Sequence, residues 1–486
     1  MREYDVIIGL EVHVQLATRS KIFCGCSTQF GAEPNTQGCP VCLGMPGVLP
    51  VLNKQAAEYA LRLALAAGCE IQPRSRFFRK NYFYPDLPKG YQISQYQSQN
   101  EVPLAKGGRI EIEINGERKQ ICLVRIHLEE DAGKLVHDEI YVTQDETFFD
   151  VNRCGVPLIE VVSEPDLRSS EEAYLYLNKL RQTVMYLGIC EGSLERGNIR
   201  TDANVNISYR EGDRAVRTPI WEIKNMNSFR NAQRAINAAV AWQIERLEAG
   251  ESIERETLLF DAETGAVRPM RSKEEAHDYH YFPEPDLVPI LVGHEWIEEI
   301  RQHLPELPTA RKDRFVREYR IPEYDAGILT EEKGIAEYYE ACVKAGADPK
   351  QASNWVMGEV LRVLKEQQVG IETFAIRPDR LTQLLCLIDN KTISGKIAKT
   401  VFEEMLVSES EPQEIVQKKG LMQMSDEGEI KQIIEQVIAG YPAEVERYRS
   451  GKTGLLGFFV GQVMKETKAK ANPQIVNEIL KAKLGR

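Results

Sequence analysis

Long apolar runs are missing from this chain of 486 residues. The longest uncharged and mostly apolar stretch, Thr453 to Met464, falls well short of the roughly 20 residues that cross a bilayer. Met1-Arg2-Glu3-Tyr4-Asp5 leads directly into a strand-like pattern with no signal or transit segment, so a cytoplasmic location is expected. Internal repeats and low-complexity blocks are missing too. Hydrophobic residues make up 43% and charged residues 28%, which excludes a disordered or collagenous protein. The common nucleotide and nucleophile motifs are also lacking. Gly451-Lys452-Thr453 ends like a phosphate-binding loop, but Glu446 stands where its first glycine belongs. No Gly-x-Gly-x-x-Gly follows a strand, no Gly-x-Ser-x-Gly elbow occurs, and no Gly/Ser-rich stretch offers a Ser nucleophile with a Lys base.

The length exceeds what one hydrophobic core usually organises, so two to four domains are expected. Strand-like alternation dominates up to about Val292, and helical spacing takes over beyond it. We expect an α+β domain over 1–292, a helical domain over 293–406 and a small helical tail over 407–486. Expected helices include Ala56–Ala67, a capped helix after Ser169, Asn231–Leu247, Lys350–Glu366 and Thr453–Lys470. Net charge is −12, yet Arg447 to Arg486 carries nine basic and two acidic residues, or +7, leaving −19 for the rest. Arg447, Arg449, Lys452, Lys465, Lys468 and Lys470 therefore form either a local polyanion-binding tip or an ordinary solvated helix surface.

Alternation assigns faces. In Gly9–Leu16 the apolar set Leu10, Val12, Val14 and Leu16 leaves Glu11, His13 and Gln15 on the other side. In Cys122–Glu129 the same logic groups Arg125, His127 and Glu129, with Glu130 and Asp131 following. Glu160 in Leu158–Val162, Asp202 and Asn204 in the next alternating segment, and Glu222 with Lys224 beyond it extend the pattern. Strand by strand this is ordinary solvent exposure. If the strands share one sheet, however, so many oxygen donors near a histidine suit a hard divalent cation and a phosphate, because clustered carboxylates repel unless a cation compensates them.

Ten cysteines occur, and four are paired by spacing: Cys24-Gly25-Cys26 and Cys39-Pro40-Val41-Cys42. Two close pairs joined by a loop fit a structural zinc site, since such spacings present two thiolates each to one tetrahedral ion. A redox pair would want a thioredoxin-like context that is absent, and coincident buried thiols are the remaining alternative.

Several strings closely resemble the B subunits of bacterial glutamyl/aspartyl-tRNA amidotransferases. They are Gly9-Leu10-Glu11-Val12-His13-Val14-Gln15-Leu16, Lys80-Asn81-Tyr82-Phe83-Tyr84-Pro85-Asp86, His127-Leu128-Glu129-Glu130-Asp131-Ala132-Gly133-Lys134, Ile223-Lys224-Asn225-Met226-Asn227 and Tyr281-Phe282-Pro283-Glu284-Pro285-Asp286. The resemblance runs on to Gly461-Gln462-Val463-Met464-Lys465. It implies a cradle domain related in fold to glutamine synthetase and built on an antiparallel sheet, then a helical domain and a tail that touches tRNA. It also implies an ATP- and Mg²⁺-dependent ligase that phosphorylates the side-chain carboxylate of Glu-tRNA(Gln) or Asp-tRNA(Asn). Ammonia from a partner amidase A subunit then forms the amide, and a small C subunit completes the complex. By motif position, Glu11, His13 and either Glu129 or Glu130 are the implied Mg²⁺ ligands, with Glu160, Asp202, Asn204 and Glu222 as outer or second-metal candidates. Lys224 either neutralises phosphate or makes a sheet-face salt bridge. Tyr82, Tyr84 and Lys89 resemble the segment near the ammonia path, or serve packing. Arg196 departs from the family pattern, which has Glu there, and the Zn²⁺-type cysteines are not universal in the family. The rival reading is a non-catalytic, zinc-stabilised tRNA-binding scaffold.

Overall fold

Residues 3–95, 103–136, 148–270, 279–422, 427–467 and 470–485 are described by a computed structural model. They divide into two compact units, Met1–Leu307 and Pro308–Arg486. The class is α+β, a sheet-based unit followed by a helical one.

In the first unit the alternating segments become β1 (Tyr4–Gln15), β2 (Phe78–Asn81), β3 (Tyr91–Ser94), β4 (Glu117–Glu130), β5 (Pro157–Ser163), β6 (Ile199–Glu211), β7 (Trp221–Lys224), β8 (Glu256–Phe260), β9 (Val267–Pro269) and β10 (His280–Pro283). Hydrogen bonds order them β9-β8-β7-β6-β1-β5-β4-β3-β2-β10. Neighbours along this path are antiparallel except β7 with β8. The first strand of the chain is thus central to the sheet.

Three helices, α1 (Lys54–Ala66), α2 (Ser170–Tyr186) and α3 (Phe229–Glu248), cover one side of the sheet. Leu10, Val12 and Val14 of β1 join Leu61, Tyr176, Leu180 and Ile236 in a single core there. Since side chains alternate along a strand, this burial sends Glu11, His13 and Gln15 to the opposite face. The capping box before α2 forms on one side only: Ser169 Oγ accepts the Glu172 N–H at 3.1 Å. The Glu172 carboxylate instead accepts from the Arg168 N–H and from Lys119 Nζ, each at 2.7 Å. At its end Gly188, at φ +66°, turns the chain so that the Ile189 N–H reaches the Val184 carbonyl.

The boundary expected near 293 coincides with the start of α4 (His294–Gln302), but Ile300, Leu304 and Leu307 still pack into the sheet core. The one expected near 407 likewise precedes a helix, Pro412–Lys418, whose Ile415 and Val416 belong to the core before it. The second unit holds two separate apolar clusters, one spanning Phe315 to Val416 and one spanning Ile430 to Leu484. The helix expected over Lys350–Glu366 is interrupted, with Pro349–Trp355 and Leu361–Gln367 flanking a π turn at Val356–Val360. The one expected over Thr453–Lys470 is α-helical over Leu456–Glu466, after a 3₁₀ turn at Thr453–Leu455. Among the described residues no helix is long and apolar enough to cross a membrane.

Candidate functional site

The register of four central strands decides which polar residues meet. On β1, Glu11 lies opposite Asp202 of β6, while His13 lies opposite Arg200 of β6 and Glu160 of β5. Glu160 in turn faces His127 of β4, and Asn204 faces Glu222 of β7. Opposed residues in antiparallel strands point to the same side, so these side chains share the helix-free face. At its centre His13 Nε2 lies 3.2 Å from Glu129 Oε1 and 3.4 Å from Glu160 Oε2. One donor atom from each of the three lies within 4.8 Å of the other two. Ligands at right angles around an ion at about 2.1 Å sit about 3.0 Å apart, so the set suits a small hard cation with little movement.

The surroundings are charged on both sides. His127 Nε2 approaches Glu160 Oε2 at 3.4 Å, and Arg125 Nη2 donates to Glu160 Oε1 at 3.3 Å. Burial opposes a charged imidazole, but hydrogen bonds to Glu129 and Glu160 outweigh it and lift the His13 pKa to about 10. Burial also opposes ionisation of Glu129, yet His127 and His13 hold that carboxyl well below its usual range. Glu11 differs. Burial first, then the nearby Glu160, raise its pKa, while Asn204 Nδ2 donates to Glu11 Oε1 at 3.0 Å and partly offsets the rise. Lys224 Nζ bridges Glu222 Oε1 at 2.8 Å and Asp202 Oδ2 at 3.1 Å, so the sheet-face salt bridge is formed.

Glu130 is separated from that centre by its own register, since it follows Glu129 and so points the other way. It pairs with Lys89, and its Oε1 accepts the Ile93 N–H at 2.8 Å. Of the two adjacent glutamates, then, only Glu129 joins His13. Lys89, Glu130, Arg79, Tyr91, Cys42 and Lys21 line a cavity of about 180 Å³. Tyr82 sits outside that lining, its ring edge-on to Tyr279 at 5.6 Å, and Tyr84 is exposed.

The four cysteines do converge, with their sulfurs all within 4.8 Å of one another. Cys39 and Cys42 Sγ are 3.9 Å apart, close to the roughly 3.8 Å between sulfurs that share a tetrahedral ion at about 2.3 Å. The Cys39 N–H donates to Cys42 Sγ at 3.1 Å. Gly44 follows at φ +66°, and a Cβ there would run into Lys89, so the loop closes directly over the Lys89–Glu130 pair. The four cysteines therefore form a cluster able to hold a metal ion.

Arg447, Arg449, Lys452 and Lys465 are exposed in the second unit and Lys470 is half-buried; Lys468 lies outside the described residues. Sequence reasoning undervalued Glu160, which makes direct contact with His13. It missed Arg200, whose Nη2 holds Asp131 Oδ2 at 2.7 Å, although the period of two that selected Asp202 and Asn204 also selects Arg200. It also missed the bidentate grip of Arg79 on Glu284, at 2.7 and 2.9 Å, which only the β2–β10 pairing creates. Arg196 caps the exposed Phe30 ring at 5.3 Å and pairs with Glu191, away from any carboxylate cluster.

Comparison with known proteins adds a family to this geometry. Residues 6–298 match the GatB/GatE catalytic domain, and residues 337–484 match the GatB domain. A protein of Geotalea uraniireducens is 55% identical over 483 residues, covering 99% of each chain. One of Carboxydothermus hydrogenoformans is 52% identical over the full length of both, and one of Prosthecochloris aestuarii is 54% identical over 99% of this chain and 98% of its own. All three are named as B subunits of aspartyl/glutamyl-tRNA(Asn/Gln) amidotransferases.

Proposed function

The chain belongs to the family of aspartyl/glutamyl-tRNA(Asn/Gln) amidotransferase B subunits, and from that premise we propose that the helix-free sheet face is its carboxylate-kinase site. The protein is one component of a tRNA-dependent amidotransferase, an ATP-dependent ligase that forms the amide of Gln-tRNA(Gln) or Asn-tRNA(Asn). The observation that carries the site assignment is the trio His13, Glu129 and Glu160, held within 4.8 Å by three strands of the matched catalytic domain.

In this reading the trio would hold Mg²⁺ once His13 gives up the proton it otherwise shares with Glu129 and Glu160, and the ion would draw charge from the phosphates of ATP. Glu129 takes the ligand role for which Glu129 and Glu130 were equal candidates, because Glu130 is committed to Lys89 and the Ile93 N–H. Glu11, Asp202, Asn204 and Glu222 border the same face and hold a further cation or water. Lys224, already between two carboxylates, turns toward a phosphate when one arrives. An oxygen of the Glu or Asp side chain on tRNA attacks the γ-phosphorus of ATP, and ADP leaves. Ammonia then attacks the acyl carbon, phosphate departs with the surplus proton, and the amide remains. An acyl phosphate hydrolyses if water reaches it, so ammonia must arrive by a shielded route. The cavity lined by Lys89 and Glu130 supports such a route from a partner amidase, with Tyr82 and Tyr84 outside its lining. The relatives are each named as a single component of an amidotransferase, which supports a complex of this chain with that amidase and a small third protein. The cysteine cluster holds structural Zn²⁺, and the basic residues from Arg447 to Lys470 bind tRNA. The complex works in the cytoplasm.

The test is ATP hydrolysis by the reconstituted complex with Mg²⁺ and Glu-tRNA(Gln), Asp-tRNA(Asn) or uncharged tRNA, using wild type and Glu11→Gln. Turnover that requires a mischarged tRNA and falls at least tenfold in the variant is expected. Turnover indifferent to Glu11→Gln would remove the kinase chemistry from this face.

A further inference from the structure

Lys21 opens the cysteine loop and has no solvent exposure at all. An ammonium has three N–H donors and accepts nothing, so a buried one needs three acceptors. Lys21 Nζ meets three: the Gln37 carbonyl at 2.6 Å, the Val151 carbonyl at 3.4 Å and Cys42 Sγ at 3.6 Å. Two of these acceptors are neutral. Among the described residues no carboxylate forms an ion pair with Lys21, although a charge withdrawn from water needs an opposite charge close by. Of its three acceptors, only the sulfur can carry that charge.

The charge sum points the same way. Four thiolates around a divalent ion leave a net charge of 2−, an uncomfortable value in a buried loop, and one adjacent ammonium halves it. We propose that Lys21 is a positioning residue built into the four-cysteine centre: a counter-charge that donates to Cys42 Sγ and thereby fixes the metal-bound loop against the wall of the Glu130 cavity. This inference rests on reading the four cysteines as a metal centre. The three side chains meet beside Gly155, where a Cβ would make only ordinary contacts, 3.6 Å from Cys42 Cβ, 3.6 Å from Lys21 Cδ and 3.8 Å from Glu130 Oε2. Because Gln37 lies between the two cysteine pairs and Val151 outside the loop, the same ammonium joins the loop to the chain segment behind it. A neutral side chain at this position would supply no charge.

The test uses the full chain as wild type, Lys21→Met, Cys42→His and the double variant, each loaded with Zn²⁺ or Co²⁺. Metal content, release of Zn²⁺ to a chelating dye and the thiolate-to-cobalt charge-transfer band are measured. Lys21→Met is expected to release metal roughly ten- to hundredfold faster, the range of one hydrogen bond to a charged group, and to move the band to longer wavelength as Cys42 Sγ becomes more electron-rich. Cys42→His replaces a thiolate by a neutral ligand, so the double variant restores the net charge and is expected to release metal more slowly than Lys21→Met alone. A folded Lys21→Met chain with unchanged release and an unchanged band overturns the proposal. If Lys21→Met does not fold, recovery of a metal-loaded double variant supports the charge argument, and its failure beside a folded Cys42→His overturns it. Wild type without bound metal would instead refute the metal centre itself, and the inference with it.

Discussion

The four cysteines come from one loop, residues 24–42, and bring four sulfurs within 4.8 Å of one another, whereas His13, Glu129 and Glu160 come from three different strands and bring three hard donors together. The first arrangement leaves no position for a substrate. The second would leave about half of a six-coordinate shell free, and it lies on the one side of the central sheet that α1–α3 do not cover. The difference teaches where reactivity is to be sought: a closed set of soft donors stabilises a loop, and an incomplete set of hard donors on a rigid sheet accepts a ligand.

The sharpest way to break this contrast is Glu160→Gln. It is expected to lower mischarged-tRNA-dependent ATP turnover by about 10²–10³-fold, the scale of losing one group that stabilises transition-state charge, and to lower the melting temperature because His13, His127 and Arg125 lose a buried counter-charge, with thiol-bound metal unchanged. Paired turnover, metal analysis and thermal unfolding check it, and a coupled loss of zinc would mean that the two centres are not separable. Stripping the cysteine centre is the converse experiment. Chelation is expected to destabilise the first unit by roughly 2–5 kcal/mol, comparable to losing a native cross-link, and Zn²⁺ but not Mg²⁺ should restore the melting temperature.

A smaller effect separates carboxylates by purpose. Burial and Glu160 raise the pKa of Glu11, so the folded state disfavours its charged form, and stability falls as pH rises through the carboxylate range. Glu11→Gln should therefore stabilise the chain at neutral pH without divalent cations. Asp325 in the helical unit is the opposite case. Burial opposes its charge, but Lys350 Nζ at 2.5 Å and Ser353 Oγ at 2.7 Å hold its pKa below the usual value. Its contribution is present above the ordinary carboxylate pKa of about 3.9 and lost as pH falls through the depressed value. Asp325→Asn should cost roughly 1 kcal/mol at pH 7 and flatten the acid limb of the unfolding curve, measured by denaturant titration between pH 7 and pH 3.

What could be read from the sequence follows the same division. The cysteine spacing is local, so its convergence was legible, and so was the face of each strand, because Leu10, Val12 and Val14 define it by alternation. Register was not legible. Nothing in a single strand states that Glu160 lies opposite His13, or that Glu129 rather than Glu130 turns toward it, until β4, β5 and β1 are aligned. The partners of Arg79 were hidden for the same reason, since Glu284 reaches it only through pairing between distant segments. In the helical unit, spacing marked helices within Lys350–Glu366 and Thr453–Lys470 but not those at Glu323–Leu329, Pro412–Lys418, Pro442–Arg449 and Pro473–Leu484, and the π turn at Val356–Val360 left no mark in the hydrophobic spacing.

The central position of β1 also bears on how the chain emerges from the ribosome. Its two sheet neighbours are β5, which begins at Pro157, and β6, which ends at Glu211. At about 5–20 residues per second, Ile7, Ile8 and Leu10 wait roughly 10–40 s after synthesis before both neighbours exist. During that interval an apolar strand with at least one edge open is exposed to other chains, so assembly of the sheet is a late and vulnerable step in the birth of the protein.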